Sequence, residues 1–447
     1  MVPFRQALGK QVIFADGAMG TQLQEAGLAP GEAPTLFNLT HPHVVRNVHC
    51  AYLNAGATLL TTNTFSAGPL MLTGKGAEAL SAITLGVQLA HEARQLCASE
   101  AFIALNIGPL GQLLKPLGSL DFDAAVEIFT RQIEVGVARG VDLILIETMI
   151  DTYELKAAVL AAQEVCDLPV VATVALSEQG RMLNGADCAC VCALLEGLGV
   201  DALGINCGAG PREVAPYIEE MRARTSLPLV LSPNAGLPLV VEGKTTYPAS
   251  VAEFAEAMLP LVVQYTAIAG GCCGTTPAHI EALQESCEGM VARAVSPIAR
   301  HVISSYATAL DLDNSPESTQ LRIDKRVDPA CDSTLATTLA QGSYDYAVDL
   351  ILDALDADAQ IIGICAHQAG IDERIALPAL IEAAQSMVKV PFLIISASLE
   401  ALERALRVYN GCALVDLSRF APDQRETATA LAARYGAVLD TDIDTDR

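Results

Sequence analysis

A chain of 447 residues, 51% hydrophobic and only 18% charged, can bury more than one core and reads as a folded protein of at least two domains. Its 27 Lys and Arg against 52 Asp and Glu leave a formal net charge of -25, which disfavours nucleic acid and anionic membrane as partners and leaves a small molecule as the expected ligand. No stretch offers the ~18 uninterrupted apolar residues of a membrane span, and thirteen cysteines without short-domain spacing suit reduced thiols, so a cytoplasmic protein is expected.

The first apolar, β-branched run is VIFA (12–15), followed by Asp16, Gly17 and Ala18. TLLTT (58–62) leads to Asn63, and FIALN (102–106) ends on Asn106. A helical pattern, AAVEIFTRQIEVGVARG (124–140), precedes DLILI (142–146), which Glu147 closes. ELKAAVLAAQEV (154–165) is again helical and precedes VVATV (170–174). ALGIN (202–206) runs into Cys207, LVLS (229–232) into Asn234, and TAIAG (266–270) into Cys272 and Cys273. Eight strand-then-helix units predict a (β/α)8 barrel over residues 1–292. An open doubly wound sheet would carry a Gly-rich phosphate turn after its first strand, and ADGAMGT is not one. Residues 293–320, with prolines and a polar cluster, read as a linker. Residues 321–440 resume the alternation as a smaller, partial α/β region with runs AQIIGIC (359–365), VPFLIIS (390–396) and CALVDLS (412–418), and 441–447 form a charged tail.

Barrel enzymes place their chemistry at the C-terminal ends of the strands, so Asp16, Gly17, Ala18, Asn63, Asn106, Glu147, Cys207, Asn234, Cys272 and Cys273 form one candidate rim. Three cysteines meet there from neighbouring strands, and three thiolates with an open fourth position describe a catalytic zinc site. The glycines at 270, 271 and 274 free the backbone to turn two adjacent sulfurs towards one ion. A denser cysteine motif, Cys188, Cys190 and Cys192 in ADCACVCALLEGLG (186–199), reads as a helix, where i, i+2 and i+4 do not share a face; these cysteines are expected to pack.

In order and spacing, ADGAMGTQLQ, TTNTF, GINCG, SPNAG and GGCCGTTPAHI resemble the zinc-dependent homocysteine S-methyltransferase family, most nearly the N-terminal homocysteine module of cobalamin-dependent methionine synthases. The resemblance implies that Cys207, Cys272 and Cys273 bind zinc. It further implies that Glu147 holds the ammonium of homocysteine and that backbone N–H groups around Gly17 and Ala18 hold its carboxylate. Asn234 is then suggested as a weak oxygen ligand that substrate displaces. The region after 321 resembles the start of a folate-binding barrel but departs from it at Asp324-Lys325-Arg326, at Gly363-Ile364-Cys365 and at IISAS, so no folate site of its own is expected.

The methyl donor follows less directly. With no Trp and 4% aromatics, the chain has little material for a cage around a quaternary ammonium, which favours a methylated corrinoid protein, supplying methylcobalamin, over S-methylmethionine or a betaine. A non-catalytic homocysteine or zinc sensor is the reading from another class. The short second region would leave sheet edges uncovered, so it is expected to pack as an open sheet or to mediate self-association.

Overall fold

The computed structural model describes residues 2–29, 31–68, 72, 76–241, 244–290, 301–313 and 321–440. By contacts the chain divides into two units, the first Met1–Leu183 with Val200–Pro297, the second Asn184–Gly199 with Ile298–Arg447. Part of the span read as a linker (293–300 and 314–320) and the tail (441–447) lie outside the described residues.

In the first unit the strands are β1 (Ile13–Phe14), β2 (Leu59–Thr61), β3 (Phe102–Ile107), β4 (Leu143–Met149), β5 (Val170–Val174), β6 (Ala202–Asn206) and β7 (Leu229–Ser232). A small antiparallel hairpin, β8 (Leu239–Val241) and β9 (Lys244–Thr246), precedes the last barrel strand, β10 (Thr266–Ala269). The eight parallel strands run in the order β1-β10-β7-β6-β5-β4-β3-β2, and a parallel bridge from Ala15 to Leu59 joins the two ends into a barrel. The strands are nearly continuous apolar runs because both of their faces are buried. Ala15, Leu59, Ala104, Leu145, Val171, Ala202, Val230 and Ile268 fill the interior. Phe4, from the helix Phe4–Ala7, meets the Phe102 ring edge-on at 5.2 Å, which plugs the end where β3 begins. The predicted helices occur as Phe122–Val137 and Thr152–Val165, and among the described residues no helix is long and apolar enough to cross a membrane.

The second unit holds the hairpin β11 (Val302–Ser304) and β12 (Ala309–Asp311), then β13 (Ile323–Val327), β14 (Ile361–Cys365), β15 (Phe392–Ile395), β16 (Leu414–Asp416) and β17 (Val438–Leu439). The last five form an open parallel sheet in sequential order. One face of that sheet, with Ile361, Cys365, Leu393, Ile395 and Leu414, is covered by Ile303 and Leu312, with Leu310 packed against them. The hairpin is fixed there by hydrogen bonds from Tyr409 Oη to Ser304 O (2.8 Å) and from Cys412 N to Ser304 Oγ (3.1 Å). Cys188, Cys190 and Cys192 lie in the helix Cys188–Gly197 and are all buried, as packing residues should be.

One core residue of the barrel is costly. His49, in the helix Pro42–Asn54, is fully buried, and neither ring nitrogen has a hydrogen-bond partner among the described residues. Burial pushes its pKa down to about 4. Because the unfolded chain takes up this proton near pH 6.5 and the folded one does not, stability is full above pH 6.5 and drains away as pH falls towards 4, by about 3 kcal/mol in all. His49→Leu is expected to flatten that part of the stability profile. Denaturant melts between pH 4 and 8 that run parallel for the two proteins would refute the assignment.

Candidate metal centre and substrate pocket

The β-strand ends converge on one cavity of about 440 Å³, lined by residues that include Asp16, Gly17, Ala18, Asn63, Asn106, Glu147, Cys207, Cys272 and Cys273. Asn234 is held beside it through the backbone, since Asn234 N donates to Ala209 O (2.9 Å) and Ala235 N to Cys273 O (3.0 Å). All the predicted site residues are thus gathered at one end of the barrel.

On one wall, Cys207 Sγ and Cys272 Sγ each lie 4.0 Å from Cys273 Sγ. The three sulfurs are the one group of three or more potential ligands found within 4.8 Å of one another among the described residues. Disulfides need sulfurs at about 2.05 Å, and all three thiols are free. A tetrahedral zinc with bonds of about 2.3 Å separates its sulfur ligands by roughly 3.8 Å, so the cluster has the size of that coordination shell. Hydrogen bonds from Cys207 and Cys272, with another from Tyr247, pull the Cys273 thiol down to about 3, and Cys272 is raised as the donating partner. Cys207 has φ 59°, and Gly274, at φ 78°, lies so close to Tyr247 that a Cβ there would be 2.3 Å from the ring. Both conformations turn the loop ends to bring the sulfurs together. Asn234 Oδ1 is buried with no hydrogen-bond partner, an orphaned acceptor of the kind a cation or donor would satisfy.

The same cavity holds two buried acids. Glu147 accepts from Asn106 Nδ2 at 2.7 Å, and burial raises its pKa to about 7, with the Cys273 thiolate adding to the rise. Asp16 accepts from Thr61 N (2.9 Å) and Thr61 Oγ1 (3.0 Å). Burial nevertheless lifts its pKa to about 8, helped by repulsion from Glu147. Neither acid has a basic partner among the described residues, and Asn106 Oδ1 is also buried and unpaired. This end of the cavity is a set of acceptors without a cation.

Glu147 owes its aim to a bulge. The β4–β5 register slips between Ile146 and Met149, and Thr148 adopts φ 60°. A β-branched residue in that region costs about 1–3 kcal/mol, a strain typical of functional sites. Gly17 is required for room, because a Cβ there would lie 2.6 Å from Thr275 Oγ1 and 2.9 Å from Tyr52 Oη. The Ala18 amide, expected to be available, donates to Thr275 Oγ1 at 3.1 Å, whereas the Gly17 amide has no such partner among the described residues. Asn63 is likewise engaged, its Nδ2 donating to Pro34 O (2.8 Å) and Asn38 Oδ1 (2.9 Å). Residues that strand-end reasoning missed are Thr61, Thr148, Thr275, Tyr247 and Asn206; Thr61, Asn206 and Thr275 lie within TTNTF, GINCG and GGCCGTTPAHI, but beside the residues singled out there they carried no separate signal.

The family model described as homocysteine S-methyltransferase matches residues 13–287. Methionine synthase of Mycobacterium leprae (strain TN) is 27% identical over 465 aligned positions, covering 97% of this chain and 38% of that protein. The methionine synthase of Mycobacterium tuberculosis (strain ATCC 25618 / H37Rv) is 28% identical over the same shares. The chain thus spans well under half the length of these curated relatives. Among solved structures, the metallated form of the homocysteine methyltransferase MmuM from Escherichia coli superposes with a TM-score of 0.54 at 26% identity, over 62% of this chain and 96% of that one. Its oxidized form gives a TM-score of 0.52 at 26% identity, over 61% and 95%. With a match across more than half of its length, and with the barrel and its thiol cluster where that match lies, the chain belongs to the homocysteine S-methyltransferase family.

Proposed function

We propose that the barrel transfers a methyl group to the thiol of homocysteine, giving methionine, with zinc held by Cys207, Cys272 and Cys273. The observation that carries this reading is the two-ended cavity: three clustered thiols on one wall and two acids without a cation at the other. An amino acid with a side-chain thiol fits both ends. Zinc, when bound, supplies Lewis acidity that turns a thiol of pKa ~8.5, only a few per cent ionised at pH 7, into a nucleophile, a gain of roughly thirtyfold.

The protein's own groups do the rest. Glu147 and Asn106 Oδ1 accept from the substrate ammonium, with Asp16 behind them. The Gly17 amide donates to the substrate carboxylate. Asn234 Oδ1, buried and unpartnered, would be a weak oxygen donor to that metal. Cys207, Cys272 and Cys273 keep the metal site electron-rich, which favours methyl capture by sulfur, and Tyr247 holds the Cys273 sulfur by a hydrogen bond.

The donor is inferred to be a methylated corrinoid carried by a partner domain or protein. Among the described residues Phe65 is the one aromatic side chain lining the cavity, too few for a cage around an onium donor. The second unit is inferred to bind no folate: at its strand ends Asp328 pairs with Arg419, and Lys325 with Asp416 at 3.5 Å, so these charges are already matched. Zinc-loaded protein should form methionine from homocysteine with methylcobalamin. Faster turnover with S-methylmethionine or betaine would replace the donor assignment, and no methionine with any of the three would leave a non-catalytic binding module.

A further inference from the structure

Asn206 closes β6 directly before Cys207 and is completely buried. Its amide makes four hydrogen bonds, all that its two acceptor sites and two donor hydrogens allow. Oδ1 accepts from the Thr148 backbone N–H at 3.0 Å and from Thr173 Oγ1 at 2.9 Å. Nδ2 donates to Thr148 Oγ1 at 2.6 Å and towards Cys272 Sγ at 3.9 Å, a long reach suited only to a large sulfur acceptor. The orientation is fixed by chemistry, because a backbone N–H can only donate and so must face the oxygen end of the amide.

The partners of this one side chain belong to different ends of the pocket. Thr148 follows Glu147 and sits at φ 60°, a conformation that a threonine keeps only when its surroundings impose it. Cys272 is one of the three clustered thiols. Two bonds between Asn206 and Thr148, one in each direction, brace the bulge that turns Glu147 into the cavity, and the remaining N–H points at sulfur.

We propose that Asn206 is a positioning residue that couples the amino-acid end of the pocket to the metal end, holding Thr148 in its left-handed conformation while donating to the Cys272 sulfur. This rests on the reading of the thiol cluster as a zinc site and of Glu147 as the ammonium acceptor. An N–H directed at a metal-bound sulfur fixes that ligand's direction and draws off some of its charge, as outer-shell donors do for other ligands. A change at Asn206 should therefore be felt at both ends at once, although the residue touches neither substrate nor metal.

Asn206→Asp tests this, since it keeps the shape and the acceptors but removes both donor hydrogens and places a carboxylate oxygen against sulfur. Zinc affinity, measured by chelator competition, should fall by about 10- to 100-fold. The sulfur-to-metal charge-transfer bands of the cobalt(II)-substituted protein should shift, a change that mere loosening of the fold would not produce. Thr148→Gly provides the second arm, because glycine accepts the left-handed conformation without being held. It should keep zinc and weaken homocysteine binding, read by calorimetry on zinc-loaded protein, by about three- to tenfold. Zinc affinity within twofold of wild type together with an unchanged cobalt spectrum in Asn206→Asp would overturn the proposal; should that variant not fold, unchanged homocysteine affinity in Thr148→Gly would do so. A wild-type chain that takes up no zinc would overturn the metal reading itself, and the coupling with it.

Discussion

Cys272→Ala is expected to leave the protein folded but without stoichiometric zinc, and to reduce methionine formation by more than about a hundredfold, the upper end of what even outer-shell changes cost at metal sites. The argument is geometric. Two remaining thiols and a weak oxygen donor cannot complete a tetrahedral shell, and the barrel offers no fourth candidate: the described residues contain no further cluster of ligating atoms near the three sulfurs. The fold should survive because the backbone of the loop is held independently, Cys272 N donating to Pro233 O at 2.8 Å and Thr275 Oγ1 to Cys272 O at 2.7 Å. Cys190→Ala is the matched control: Cys190 is buried on the helix Cys188–Gly197, so its loss should leave metal content unchanged. Metal analysis of the purified proteins decides the matter, and a full complement of zinc in Cys272→Ala would remove the cluster from the metal assignment.

Why these cysteines could be found from sequence, and Asn206 could not, is instructive. Parallel barrel strands are buried on both faces, so β3, β5 and β6 are written as unbroken apolar runs whose ends are plain. Once the ends are known, the rule that chemistry follows them brings Cys207, Cys272, Cys273 and Glu147 together without coordinates. Asn206 lies inside such a run, as its last residue, where nothing distinguishes a bonded network from a strand terminus. The left-handed φ of Thr148 is equally silent, because threonine is a residue that avoids that region and gives no hint of it. The second unit shows the opposite failure. Its β13, Ile323–Val327, spells IDKRV, a strand edge whose charges are used in ion pairs such as Asp324 with Arg326 at 2.7 Å, and β17 is only Val438–Leu439. Neither has an apolar run to read. The hairpin β8–β9 is missed because each strand is only three residues long, LVV and KTT.

Glu147→Gln should weaken homocysteine binding by about 1.5–3 kcal/mol, the usual worth of a hydrogen bond to a charged group, while zinc content stays at wild-type level. The variant keeps the hydrogen-bonding shape and loses only the charge, so the loss isolates the attraction between carboxylate and ammonium. The pH dependence gives a sharper check. In the ligand-free pocket, burial holds the Glu147 carboxyl up to about 7, so near neutrality half of the molecules carry a proton where the ammonium must dock. The proton competes with substrate: Glu147 should add a loss of about tenfold in affinity for each unit below pH 7 to the pH dependence that the thiol's own ionisation gives, and at pH 7 it should add to the protons released into the buffer. Asp16, lifted to about 8 and repelled by Glu147, keeps its own proton through most of this range, so the titration seen should be that of one carboxyl. Calorimetry in two buffers of different ionisation enthalpy measures the proton release directly. The zinc-bound thiol gives up its own proton in both proteins, so the wild type should release more protons at pH 7 than Glu147→Gln, the excess being the Glu147 proton. If the variant retained the same proton release and the same fall in affinity below pH 7, the titrating group would lie elsewhere and Glu147 would not be the residue that receives the ammonium.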